Sequence, residues 1–276
     1  MSRSIPVVLT VAGSDSGGGA GIQTDLRTFN AFKVYGCSAI TAVTSQNPEE
    51  VRRIDVLDVE AVKSQLEAVL DLFPVRRAKT GMLANSAIIE CIADVVQKYE
   101  LKLVVDPVMV STSGTRLLEE TAVSAMKEKL FPLASWITPN IPDAELICQR
   151  KLDSPDDLAG AALQLYKQFK CNILLKSGHA ITSDRVTDIV CYQGDLFALS
   201  SPAVKISGNT AHGTGCTLSA AMAANFALDN SWQETLIAAK AFVFGALIEN
   251  VHLTGKLFQM YPPLQDYCDQ VTLKEL

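Results

Sequence analysis

"LKLVVDPVM", residues 101–109, is the stretch that decides the fold. Leu103 to Val105 run into Asp106 and Pro107 with no polar interruption. An apolar run without alternation marks a strand buried on both faces, and the proline stops it. Comparable runs lie on either side: "IPVVLTVAG" (5–13), "SAITAVTS" (38–45), "VRRAKTGML" (75–83), "SWITPN" (135–140) and "CNILLKSG" (171–178). Helical stretches alternate with them. They are expected over Ala20 to Phe32, Val59 to Phe73, Asn85 through Gln97 with Asn85 as cap, and Leu118 to Leu130. Others start near Asp143 and at Pro155 behind a Ser154 cap, and two more cover 214–228 and 232–250. "VTDIVCYQG" and "LFALSS" read as an antiparallel pair. The order predicts one α/β domain over 1–276, with a mostly parallel sheet covered by helices on both faces and residues 260–276 as an unassigned extension. Such sheets take ligands beyond the carboxyl ends of their strands.

Composition narrows the function classes. The chain has 276 residues, 48% of them hydrophobic, and a net charge of −6. That acidity argues against nucleic acid or an anionic membrane surface as partner. No segment approaches the ~20 apolar residues of a membrane span. The apolar run behind Arg3 is short and leads straight into "SDSGGG", as a first strand does and a signal peptide does not. Seven cysteines, an odd number without a CxxC, suit a reducing cytoplasm. The three histidines, His179, His212 and His252, have no metal-site spacing.

The strand ends collect chemistry. They carry "GSDSGGGAG", "SQN", "GML", "DPVM", "PNIPD" and "KSGH" in turn. Any one of these suits a turn or a cap; together they would converge on one rim. The first is neither GxGxxG nor a Walker A loop, so an NAD-linked oxidoreductase lacks its fingerprint. Its glycines, Gly13 and Gly17 to Gly19 with Gly21, allow a close backbone approach at a helix start, or simply a tight turn.

"HGTGCT" (212–217) is the stronger signal. Gly213 and Gly215 around Thr214 permit a compact turn whose N–H groups, with the helix start behind them, form an anion hole for a transferring phosphoryl group. Cys216 at that helix start is expected to have a lowered pKa. Lys176, ending a buried strand, needs an anionic partner, either phosphate or a carboxylate. Asp106 suits Mg²⁺ as well as it suits a turn before proline, and Asn140 with Asp143 suits the metal's water shell or a helix cap.

"AGSDSGGGAGIQTDLRTF", "TSQN", "KTGML", "VVDPVMV", "TPNIPDAE", "LLKSGH" and "HGTGCTLSAAMAANFAL" together resemble the hydroxymethylpyrimidine/phosphomethylpyrimidine kinases of thiamine biosynthesis, within the ribokinase-like superfamily. The resemblance runs from about Ile5 to about Leu253. It implies a three-layer α/β/α fold and transfer of phosphate from ATP, with Mg²⁺ and in some members a monovalent cation, to a small aminopyrimidine alcohol and then to its monophosphate. It places Gln46 on the aminopyrimidine, whose ring nitrogen and exocyclic amine a primary amide matches. Met82 and Val108 pack the ring; Asp25, Gly13 and Ala20 stand on the substrate side. Asp106 and Asp143 fall to the metal. Asn140, Lys176, Lys240, Thr214 and His212 fall to the nucleotide. Cys216, with residues 213–215 and Lys176, falls to catalysis. The family's glutamate is replaced by Asp143, one methylene shorter, and KGGH by "KSGH". A homodimer is also implied; separately, residues 108–116, rich in Ser, Thr and Gly, would suit a mobile flap. Two rivals stand: a pyridoxal kinase of the same superfamily, and a non-catalytic nucleotide or pyrimidine sensor.

Overall fold

A computed structural model describes residues 4–109, 118–178, 184–205, 212–255 and 257–276. Six parallel strands form the middle of the sheet: β1 (Val7–Asp15), β2 (Tyr35–Gln46), β4 (Arg77–Thr80), β5 (Lys102–Val105), β6 (Ala134–Ile137) and β7 (Asn172–Leu175). Antiparallel strands finish both edges. β3 (Val51–Val56) pairs with β2, while β8 (Arg185–Tyr192), β9 (Asp195–Pro202) and β12 (Thr272–Glu275) extend the other side. The resulting sheet has ten strands in the order β12-β9-β8-β7-β6-β5-β4-β1-β2-β3. A separate hairpin, β10 (Val251–Thr254) and β11 (Leu257–Gln259), lies apart from it.

Successive side chains of a strand point to opposite faces. On β5, Leu103 and Val105 therefore enter one core while Val104 enters the other. On β7, Ile173 and Leu175 are likewise separated from Leu174, and on β1, Leu9 and Val11 from Val8. The first core is closed by α2 (Val59–Leu70), α3 (Ser86–Lys98), α4 (Glu120–Ala125), α5 (Ile141–Cys148) and α6 (Pro155–Phe169). The second is closed by α1 (Gly21–Ala31), α7 (Thr214–Ala227) and α8 (Trp232–Ile248). The uninterrupted apolar run is thus explained by two cores sharing one sheet. α4 continues through a π-helical turn, Met126–Leu130, which accounts for the longer helix expected over 118–130.

Local capping follows the sequence. Asn85 accepts a hydrogen bond from the Ile88 N–H, and Ser154 caps α6 within a capping box with Asp157. β3 and β12 are additions to the expected order. All six residues of β3 are exposed, so the strand carries no apolar run to read. β12 gives the extension a place: it pairs with β9 from Thr272↔Ser200 to Glu275↔Phe197.

Leu103 is fully buried in the central strand. Leu103→Ala is expected to lose about 2–5 kcal/mol of stability, against about 1 kcal/mol for Ser154→Ala. Urea unfolding of both variants checks the ranking.

Candidate active site

The parallel strands all end on one side. That edge gathers Asp15 from β1, Gln46 from β2, Gly81 and Met82 after β4, Asp106 after β5, Asn140 after β6 and Lys176 after β7. An isolated bridge, Asn140↔Lys176, prolongs the β6–β7 pairing to the rim.

The start of α7 sits over this rim. Gly213, its N-cap, has φ +82°, and a Cβ there would run into the Gly19 carbonyl oxygen. Only glycine satisfies both conditions. A Cβ on Gly215 would lie 3.1 Å from Lys176 Nζ and 3.4 Å from Asp106 Oδ2. Lys176 itself donates to Asp106 Oδ1 at 2.8 Å, and the Ser219 hydroxyl approaches Oδ2 at 3.4 Å. The lysine therefore has its carboxylate partner and still keeps 14% of its side chain exposed, facing the first turn of α7. A cleft of about 100 Å³ opens beside it, with Thr214, Val186, Val243, Phe244 and Lys240 among its walls. Lys240 is buried and ion-paired with Asp188 at 2.7 Å. Asp188 also accepts the Ser177 N–H, which ties the floor of the cleft to the end of β7.

On the other side of α7 lies a polar network. Asp15 accepts the N–H groups of Gly17, Gly19 and Ala20, the last being the N-cap of α1. His212 Nε2 lies 3.1 Å from Gln46 Nε2 and 3.4 Å from Asp15 Oδ2. Burial works to raise the Asp15 carboxyl, but hydrogen bonds from His212, Gly17 and Ala20 outweigh it and hold it below its ordinary range. Gly13 lies against Met82: a Cβ on it would come within 2.7 Å of Met82 Cε. Val108 closes the same rim with φ +43°, an unfavourable conformation for a β-branched residue.

Several expectations are corrected. The helix start does not lower the Cys216 thiol. Burial pushes it up; Lys79 and the Gly21 N–H pull the other way, while Asp25 and Asp106 add to the rise. Asp25 has no exposed surface at the rim. It is fully buried and ion-paired at 2.9 Å with the equally buried Lys79, and it accepts the Thr10 hydroxyl. Burial would lower the Lys79 ammonium, but the Asp25 carboxylate holds it above its ordinary range. Asp143 is also fully buried. Its oxygens accept the N–H groups of Met109 and Asn140, so it shapes the turn after β5 and the start of α5. His212 meets Gln46, on the side away from the apolar cleft. Among the described residues, no three His, Cys, Asp or Glu side chains cluster as a metal cage. Asp106 stands at the rim beside Lys176, and a single carboxylate fits a Mg²⁺ that arrives with phosphates supplying most of its shell. The expected flap over 108–116 lies outside the described residues from 110 onward.

Sequence reading missed Asp15, Lys79 and Asp188. Asp15 sits inside "GSDSGGGAG", where the glycines drew the attention. Lys79 in "RRAKT" was detectable as a cation interrupting a buried strand.

The family described as phosphomethylpyrimidine kinase matches residues 15–260. The hydroxymethylpyrimidine/phosphomethylpyrimidine kinase of Haemophilus influenzae is 43% identical over 88% of this chain and 91% of its own length. Among solved structures, the ADP complex of Staphylococcus aureus pyridoxal kinase superposes with a TM-score of 0.89 at 31% identity, covering 99% of this chain and 100% of that one. The phosphomethylpyrimidine kinase of Clostridium difficile gives 0.76 at 38% identity, covering 87% and 98%. The backbone is thus shared with both vitamin kinases, while identity is higher to the pyrimidine enzymes. With residues 15–260 matched by the family and a relative 43% identical over 88% of its length, this chain belongs to the phosphomethylpyrimidine kinase family.

Proposed function

We propose that this chain transfers phosphate from ATP to 4-amino-5-hydroxymethyl-2-methylpyrimidine, and then to the resulting monophosphate, as a step of thiamine biosynthesis. The observation that carries the reading is the double use of one helix start. Gln46 reaches His212, the residue before the N-cap of α7, and Lys176 lies beneath Gly215 in its first turn. An acceptor-reading amide and a phosphate-neutralising cation therefore flank the same set of N–H groups.

In the first transfer the acceptor oxygen bonds to the γ-phosphorus, the bond to the ADP oxygen breaks, and the hydroxyl proton must leave. Gln46 orients the ring, with the aromatic amine and ring nitrogen on its carbonyl and NH₂. The N–H groups of residues 213–216 and Lys176 take up charge on the transferred group. To do so Lys176 exchanges part of its bond to Asp106 for phosphate. Mg²⁺, held at Asp106 and by the phosphates, would neutralise further charge. Thr214 and Lys240 border the cleft suited to the nucleoside. Cys216 is assigned the hydroxyl proton. Its raised thiol implies little thiolate at neutral pH without ligands, so the base role depends on bound charges. We also take residues 1–276 to act as one kinase domain, in the cytoplasm and as a homodimer. The exposed apolar residues Val43, Val51, Ile54 and Val56 of β2 and β3 support self-association there. No helix among the described residues is long and apolar enough to cross a membrane.

Mixing the protein with Mg-ATP and the pyrimidine alcohol is expected to give mono- and then diphosphate by mass spectrometry. The close backbone match to pyridoxal kinase keeps pyridoxal as the second reading. A larger kcat/KM for pyridoxal than for the pyrimidine would overturn the first, and binding of ATP and pyrimidine with no turnover of either acceptor would favour a non-catalytic sensor.

Cys216→Ala is expected to slow the alcohol transfer by roughly 10²–10⁴-fold. The monophosphate, with a second pKa near ~6, needs no base, and its transfer should fall much less. Equal losses would leave Cys216 a positioning group.

The raised thiol also predicts a stability trend. Below the unfolded thiol value, near ~8.5, both states hold the proton and pH has no leverage through this group. Above it the unfolded chain ionises first, so stability falls as pH rises until the folded thiol also titrates. Cys216→Ala should flatten part of that fall in urea unfolding at pH 8–10. Alkylation of Cys216 by iodoacetamide, read by peptide mapping, should be slow at pH 7 and climb above pH 9.

A further inference from the structure

Gln259 ends β11, in the part of the chain that carried no readable motif. Two anchors place it. Its backbone pairs with Val251 across the hairpin, and the next residue, Met260, is buried against Ala246 and Leu247 of α8. The Gln259 side chain is consequently held inward with only 8% of the residue exposed. It reaches the polar side of the site. A Cβ on Gly19 would lie 2.9 Å from Gln259 Oε1 and 2.8 Å from His212 Cδ2, so the amide and the imidazole flank the same glycine. That glycine is the one whose carbonyl touches Gly213 at the start of α7.

The carboxamide is half satisfied at best. Its Nε2 is buried and, among the described residues, has no hydrogen-bond partner. A buried donor of this kind is costly unless something arrives to accept from it. The two acceptors proposed above differ at this point. The alcohol offers one oxygen, which the incoming phosphorus takes. The monophosphate offers several anionic oxygens, only one of which becomes the bridge. The others need donors beside the α7 start, where Gln259 stands.

We propose that Gln259 is a specificity residue for the second transfer, its Nε2 donating to a non-bridging oxygen of the monophosphate acceptor. The inference rests on the kinase reading above. It also gives the C-terminal hairpin a task in acceptor selection.

The test uses the full chain with Mg-ATP and each acceptor supplied separately. For Gln259→Leu, kcat/KM for the monophosphate relative to the alcohol is expected to drop roughly 10–100-fold, the range of a hydrogen bond to a charged group. The loss should appear mainly in KM for the monophosphate. Gln259→Glu keeps the shape but sets a carboxylate against the phosphate. Its ratio at pH 8 should drop at least as far, and it keeps the test readable should the leucine variant fold poorly. A ratio unchanged in the glutamate variant, or both transfers falling together, overturns the proposal, since a purely structural residue would act on both steps alike. If the unsubstituted chain turned over neither acceptor, the kinase reading itself would fall and this inference with it.

Discussion

Two backbones from opposite ends of the chain, Gly19 and Gly213, touch with no space for a side chain between them. Nearly everything at the site follows from that contact. It brings the starts of α1 and α7 together, so the positive ends of two helix dipoles lie side by side. It puts His212 over Gln46 and Gly215 over Lys176. The sheet makes the meeting possible, because β1 and the strands beside it run parallel and end at one level. Closing so long a loop costs only slightly more than closing a short one.

The site keeps its cations neutralised. Lys176 rests on Asp106, Lys240 on Asp188 and Lys79 on Asp25. For Lys176, which retains exposure, a phosphate bound as proposed would compete with a carboxylate already in place, so part of the Coulomb gain would be offset by the bond released. The pairing also keeps the pocket from being a strong general anion trap.

The layered architecture was legible because the signal was local: uninterrupted apolar strands such as Leu103 to Val105, and caps such as Asn85 and Ser154. β3 was hidden because its six exposed residues, two of them arginines, answer to no core. β12 was hidden because its reason for being a strand is a partner far away in the chain. At the site, residue types at strand ends pointed to Asp106 and Lys176. What those residues do for one another did not show. The sign of the Cys216 shift depends on burial and on Asp25 and Asp106, three conditions that arise only after folding. Asp143 read equally well as metal ligand or cap until its two N–H partners were seen.

The fully buried pair of Asp25 and Lys79 has an evolutionary consequence. Removing either partner strands a charge in the interior, a loss of about 3–5 kcal/mol, against a total stability of roughly 5–15 kcal/mol for a typical protein. Replacing both by apolar residues of matching volume can be nearly neutral. The two positions are thus joined by a fitness valley, and descendants that vary there are expected to have changed both together.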